Sequence, residues 1–167
     1  MKTSFKPFLF AALSTIMLFS ATAWLSCTRN KCATTTCNNG GVCTNEICAC
    51  ATGYEGTLCN TVSRTKFVGN WQQLVSGTGG ASHHANAISV SNGASITMVS
   101  ILNFDNSFTE PVTGIIVAPD TLLIPTQVVQ GDTISGKAIY FPAFISINYT
   151  VSSTSGTVIS VQTEWQQ

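Results

Sequence analysis

The sequence predicts an all-β protein, a small disulfide-rich module followed by an antiparallel β-barrel, with a two-sheet β-sandwich as the alternative for the second part. Three observations predict it. Six of the seven cysteines fall between Cys32 and Cys59. Residues 62–167 break into short apolar alternations punctuated by Gly, Asn, Asp, Ser and Pro, the pattern of strands joined by turns. No stretch sustains the 3.6-residue period of a helix.

Composition narrows the function before any motif is read. Only 8% of the 167 residues are charged and 44% are hydrophobic, against roughly a quarter charged in an ordinary soluble domain. Lys plus Arg and Asp plus Glu number 7 each, so there is no basic footprint for nucleic acid. The polar surface must come from Ser, Thr, Asn, Gln and Gly. So dense a cysteine cluster implies an oxidising compartment, since a cytosol would keep the thiols reduced.

The N-terminus reads as a targeting segment. Lys2 and Lys6 precede an apolar run from Phe8 to Phe19 that is interrupted only by Ser14 and Thr15, and small residues follow at Ser20 to Ala23. This is the layout of a secretory signal peptide, and the run is short of the roughly 20 residues that span a bilayer. Two cleavage sites compete: Ala21-Thr22-Ala23, and Leu25-Ser26-Cys27. The second resembles a bacterial lipoprotein box, which implies a leader over residues 1–26 and an acylated Cys27 as the first residue of the mature chain. Cysteine arithmetic favours it, because lipid on Cys27 leaves six cysteines that can all pair. Trp24 stands where a Leu is usual, a relaxed form that resembles lipoproteins of the Bacteroidetes. Loss of the leader removes two lysines and leaves five basic and seven acidic side chains. Residues 27–31 would then form a short tether. The anchor would rest on palmitate-type acyl chains, several being needed because one alone binds marginally.

From Cys32 the spacing is C-x4-C-x5-C-x4-C-x-C-x8-C, with Asn39-Gly40-Gly41 before the third cysteine and Gly53-Tyr54-Glu55-Gly56 before the last. Residues 32–59 thus resemble an epidermal-growth-factor-like (EGF-like) module. Spacing alone allows 15 pairings; the resemblance implies Cys32–Cys43, Cys37–Cys48 and Cys50–Cys59. A stretch with almost no aliphatic side chains has no other way to close. A zinc site is the rival use of these cysteines, disfavoured by the leader and by six thiols instead of four. Calcium-binding members of the family carry acidic or amide ligands just before the first cysteine, where this chain has Thr28-Arg29-Asn30-Lys31, so neither metal nor cofactor is expected.

Residues 62–167 divide into eight expected strands: 67–75, 85–91, 94–103, 106–117, 120–129, 132–140, 143–151 and 157–165. Asn92-Gly93 and Gly131-Asp132 are turn signals, and Ser152 to Gly156 joins the last two strands. In the last strand Ile159, Val161, Thr163 and Trp165 would face one side, and Val158, Ser160, Gln162 and Glu164 the other. Pro111, Pro119, Pro125 and Pro142 should sit at bulges, ends or edges. Eight sequential strands suggest an up-and-down barrel, which removes exposed edges by closure. Gly69-Asn70-Trp71 resembles the G-x-W signature of lipocalins, although residues 157–167 carry no arginine of the kind lipocalins stack on that tryptophan. The whole is similar to the lipocalin-like or calycin-like domains that follow an EGF-like module in Bacteroidetes lipoproteins.

Candidate chemistry is sparse. His83-His84 lie beside Gly77 to Ser82, and neighbours in an extended segment point to opposite faces, so they are expected in an exposed loop. Neither a G-x-G-x-x-G phosphate cradle leading into a helix nor a G-x-S-x-G elbow is present. The acids of the second domain, Asp105, Glu110, Asp120, Asp132 and Glu164, read mostly as solvated turn residues. Asp120-Thr121-Leu122 and Asp132-Thr133-Ile134 match a short bacterial O-glycosylation motif, and Asn148-Tyr149-Thr150 has the N-x-T form inside a strand. Nine aromatic residues of this domain, Trp71, Phe104, Phe108 and Trp165 among them, should mainly fill the core. The expected function is that of a lipid-anchored cell-envelope protein, facing the periplasm or the outside. It would act as a non-catalytic binding or adhesion module for a protein, glycan or small hydrophobic ligand, with the cysteine-rich module as spacer. Carriage of a small hydrophobic ligand in a barrel cavity is the alternative, and hydrolysis by two converging carboxylates a third.

Overall fold

The computed structural model describes residues 32–75 and 84–167. The leader, Cys27, the tether and His83 lie outside the described residues.

Two small hairpins build the N-terminal module. β1 (Val42–Thr44) pairs with β2 (Ile47–Ala49), and β3 (Tyr54–Glu55) with β4 (Thr61–Val62), all antiparallel. Disulfides join Cys32 to Cys43, Cys37 to Cys48 and Cys50 to Cys59. Between residues 32 and 62 the only buried side chains are those of Cys48 and Cys59. Cross-links therefore stand in for a hydrophobic core. Each closes a loop of about ten residues and removes about 3 kcal/mol of unfolded-state entropy.

Eight strands follow: β5 (Gly69–Val75), β6 (His84–Asn92), β7 (Met98–Leu102), β8 (Val112–Ala118), β9 (Thr121–Val129), β10 (Asp132–Phe141), β11 (Phe144–Ser152) and β12 (Val158–Gln166). Each pairs with its sequence neighbours, and β12 closes on β5 through Glu164–Leu74, Trp165–Gln73 and Gln166–Gln72. The closed antiparallel ring is a barrel, which sets aside the two-sheet sandwich.

Alternation decides the inside. Trp71, Ile88, Ile101, Ile116, Leu122, Ile134, Ile147 and Trp165 point into the ring and are buried. In β12 Thr163 and Trp165 are buried, whereas Ile159, on the same alternating face, is 55% exposed. It lies beyond the pairs that close β12 on β5. Gly136 of β10 opposes Tyr149 of β11, and a Cβ there would come within 2.6 Å of the Tyr149 Cβ. The missing side chain makes room for the tyrosine. Pro125 lies where β9 and β10 change register, between the pairs Ile134–Gln127 and Gly136–Ile124. Beside it the Gln127 amide takes a strand's part, accepting from Thr113 N at 2.9 Å and donating to Thr113 O at 2.8 Å.

Three local expectations are corrected. The strands expected over 94–103 and 106–117 are shorter, because residues 103–111 fold inward: Phe104 and Phe108 are buried, and Asn103, Asp105 and Asn106 take φ of 58°, 54° and 52°, a region Asn and Asp tolerate best after Gly. Asn92-Gly93 is not a two-residue hairpin; residues 93–97 form the connection, and the carbonyls of Ser95 within it and of Met98 at the start of β7 accept from Arg64. The β9–β10 turn is Gln130-Gly131, with φ of 52° and 91°, so both central residues are left-handed as a type I′ turn requires.

The module is fastened to one end of the barrel. Lys66 bridges Glu55 of the module at 2.7 Å and Asp120 of the β8–β9 turn, and its ammonium lies 5.4 Å from the centre of the Tyr140 ring. Ser63 N donates to Gly53 O at 2.9 Å. Among the described residues, the connections β7–β8, β9–β10 and β11–β12 lie at the opposite end.

Candidate functional site

The far end of the barrel carries the arrangement richest in chemistry. Inside the ring, Gln73 is fully buried; it follows Trp71 by two residues and so shares its inward face. Its Nε2 donates to Asp105 Oδ1 and to the Tyr149 hydroxyl, both at 3.2 Å. Tyr149 in turn donates to Asp105. Burial pushes the Tyr149 phenol far above its ordinary value, the hydrogen bond and charge of Asp105 add to this, and the Gln73 hydrogen bond opposes it. Gln73 Oε1 has no hydrogen-bond partner among the described residues, so the network ends on an unmet acceptor.

Asp105 belongs at once to this network and to a cleft of about 170 Å³ that opens at the far end. The β7–β8 connection contributes Asp105, Ser107 and Phe108; Asp132 begins β10; Val151 lies at the end of β11; Ser153 and Thr157 come from the β11–β12 turn, and Ile159 and Val161 from the start of β12. Carboxylates and hydroxyls therefore sit over an apolar wall, the composition of a small-molecule site. The left-handed backbone at Asp105 and Asn106 lets successive side chains diverge, Phe104 into the core and Asp105 toward the cleft.

Other depressions are less equipped. A broad trough crosses the outer faces of β10, β11 and β12, where Lys137, Asn148 and Gln162 lie in register. A second lies between Cys50–Gly56 and Val117–Pro119 at the module end.

Of the acids singled out from sequence, Asp105 and Asp132 share the cleft. Glu110 is exposed in the β7–β8 connection, Asp120 is held by Lys66 at the other end, and Glu164 faces outward and accepts from Gln166 at 3.3 Å. His84 opens β6. Thr121 and Thr133 are half-buried at the starts of β9 and β10, and Asn148 is exposed on β11. Among the described residues no group of three or more His, Cys, Asp or Glu gathers to hold a metal. Sequence reasoning missed Gln73, Tyr149, Ser107, Ser153 and Thr157. Only Gln73 left a signal, an amide on an otherwise apolar inward alternation.

Compared with known proteins, the chain matches no family model, no curated protein and no solved structure.

Proposed function

We propose that the chain is a cell-envelope lipoprotein anchored to the membrane, in the outer membrane of its cell, through acylated Cys27. Its barrel acts as a non-catalytic binding or adhesion module whose far-end cleft meets the partner. The disulfide-rich module reads as EGF-like, on the spacing of its cysteines, and the barrel as lipocalin-like, on Gly69-Asn70-Trp71 and its eight-stranded closure. Docked on the barrel by Lys66, the module serves as a rigid spacer that sets the far end away from the anchor.

One observation carries the binding site: the barrel's interior is taken up by its own side chains. Phe104 packs edge-on against Tyr149 and Trp165, with ring centres 4.8 and 6.1 Å away, and an eight-stranded barrel has room for little more than its side chains or one small ligand. A filled lumen favours recognition at the surface over carriage inside. Two carboxylates in one cleft also suit a hydrolase, although Asp105 is already committed to Gln73 and Tyr149.

A native mass spectrum of the protein extracted from its own membranes tests the proposal. The expected species starts at Cys27, carries acyl mass, lacks six hydrogens and holds no passenger. A chain starting at Trp24 with a free Cys27 thiol refutes the anchor, and a discrete bound lipid or other small apolar molecule returns carriage to first place. Turnover of a glycoside lost on Asp132→Asn would replace binding by hydrolysis.

A further inference from the structure

Resting on the lipid anchor proposed above, we infer that the β1–β2 hairpin of the disulfide-rich module seats on the bilayer that holds the chain, laying Val42 and Ile47 against the acyl chains beneath the headgroups. Residues 32–59 contain three branched aliphatic side chains, Val42, Ile47 and Leu58. All three are exposed, by 65%, 72% and 42%. A module held by cross-links has no core to hide them in, so they are free to meet something outside it.

The hairpin sorts its residues by alternation. Cys43 pairs with Cys48, and their sulfurs bond inward to Cys32 and Cys37. Val42, Thr44, Ile47 and Ala49 take the other face and are all exposed. Val42 stands opposite Ala49, and Thr44 opposite Ile47, so Val42 and Ile47 are diagonal neighbours whose branched ends make one apolar surface. Glu46, exposed in the turn, is the only charged residue from 42 to 49, and its place at the tip leaves its carboxylate in the headgroup water. Among the described residues, the bonds that fasten the module to the barrel run through Gly53, Glu55, Arg64 and Lys66 and leave this face clear.

The occupant follows from where the chain ahead of the module ends. Cys32 is cross-linked to Cys43, with Cα atoms 5.9 Å apart, and Val42 adjoins Cys43. Five residue steps separate Cys32 from Cys27, at most about 18 Å of extended chain. An acylated Cys27 therefore keeps the hairpin close to a lipid surface, at high effective concentration. The size of the face fits lipid as well. Strands of three residues are about 10 Å long and about 5 Å apart, which falls far short of the roughly 800 Å² that each partner of a stable protein pair buries. A bilayer accepts so small a wedge, because the acyl chains already hold the molecule and the hairpin adds a second attachment.

The test reconstitutes the acylated full chain in phosphatidylcholine vesicles, plain or brominated on the acyl chains, and reads tryptophan fluorescence, which bromine quenches only at near contact. Mass spectrometry of the same preparation first verifies acyl mass on Cys27. Ile47→Trp should lose most of its added emission in the brominated vesicles, and Val42→Trp likewise. Thr52→Trp, exposed in the same module beside the barrel, should lose none, and the buried Trp71 and Trp165 supply an unquenched background. Quenching of Thr52→Trp equal to that of Ile47→Trp reduces the effect to tethering and overturns the seating. An acylated chain in which bromine leaves both hairpin tryptophans bright overturns it while leaving the anchor intact. Hairpin emission that shifts to shorter wavelength with protein concentration, without quenching, also overturns it and gives the face to a second copy of the chain. A preparation without acyl mass on Cys27 overturns the anchor and the seating together.

Discussion

Phe104→Ala asks directly whether the barrel is plugged by its own chain. Phe104 is fully buried and meets three rings: Tyr149 at 4.8 Å, Trp165 at 6.1 Å and Phe108 at 6.3 Å. Truncation removes roughly 100 Å³ of side chain, and at about 24 cal/mol per Å³ the cavity left behind costs about 2.4 kcal/mol. Lost transfer of the ring from water adds about 2 kcal/mol. The expected loss is therefore about 4 kcal/mol, which at a urea slope of about 2 kcal/mol/M lowers the midpoint by about 2 M. The assay is urea unfolding with disulfides intact, followed by fluorescence of the buried Trp71 and Trp165. Benzene should bind the new apolar void and recover part of the loss in the variant while leaving the wild type unmoved. Should Phe104→Ala fail to fold, Phe104→Leu gives a smaller loss in the same direction. A loss under about 1 kcal/mol, or a wild type that benzene itself stabilises, would refute the filled lumen and with it the case against carriage.

Gly136→Ala should destabilise by about 1–3 kcal/mol, because the new Cβ lies 2.7 Å from Asn148 O as well as against Tyr149; an unchanged urea midpoint would contradict the close β10–β11 approach. Lys66→Met should cost about 1 kcal/mol, with the difference from wild type shrinking in high salt, since the Lys66 and Glu55 side chains are 20% and 18% exposed; a salt-independent difference would argue against the ion pairs. Above about pH 10 stability should fall. Burial works against the Lys66 charge, yet Asp120 and Glu55 together outweigh it and raise its pKa, and that of Tyr149 is raised as well. Each unfolded group then releases its proton first. The two contributions are complete below the unfolded values near 10 and are lost as pH rises, by about 1.4 kcal/mol per unit for each group in that window. Tyr149→Phe should flatten the alkaline slope of the urea midpoint, and an unchanged slope would count against a buried phenol beside Asp105.

Much of this architecture was legible because it rests on local rules. A strand's side chains alternate with period two whatever its neighbours do, so Thr163 and Trp165 could be placed on one face and Glu164 on the other before any partner was known. Six cysteines in a stretch poor in aliphatic residues mark a module that cross-links must hold. Proline's missing donor restricted Pro119 and Pro142 to turns and Pro125 to a register change. Other features depend on meetings between distant residues. Nothing within Asn103–Pro111 says that this segment turns inward; Phe104 does so because Tyr149 and Trp165, far along the chain, leave a space its ring completes. Asp105 reads as a turn acid in sequence, and only closure of the barrel brings it to Gln73, Tyr149 and the cleft that Asp132 shares. Local periodicity therefore determined the strands and their inner faces, whereas the cleft, the buried network and the Lys66 joint came into being when the sheet closed, since each is made by groups tens of residues apart.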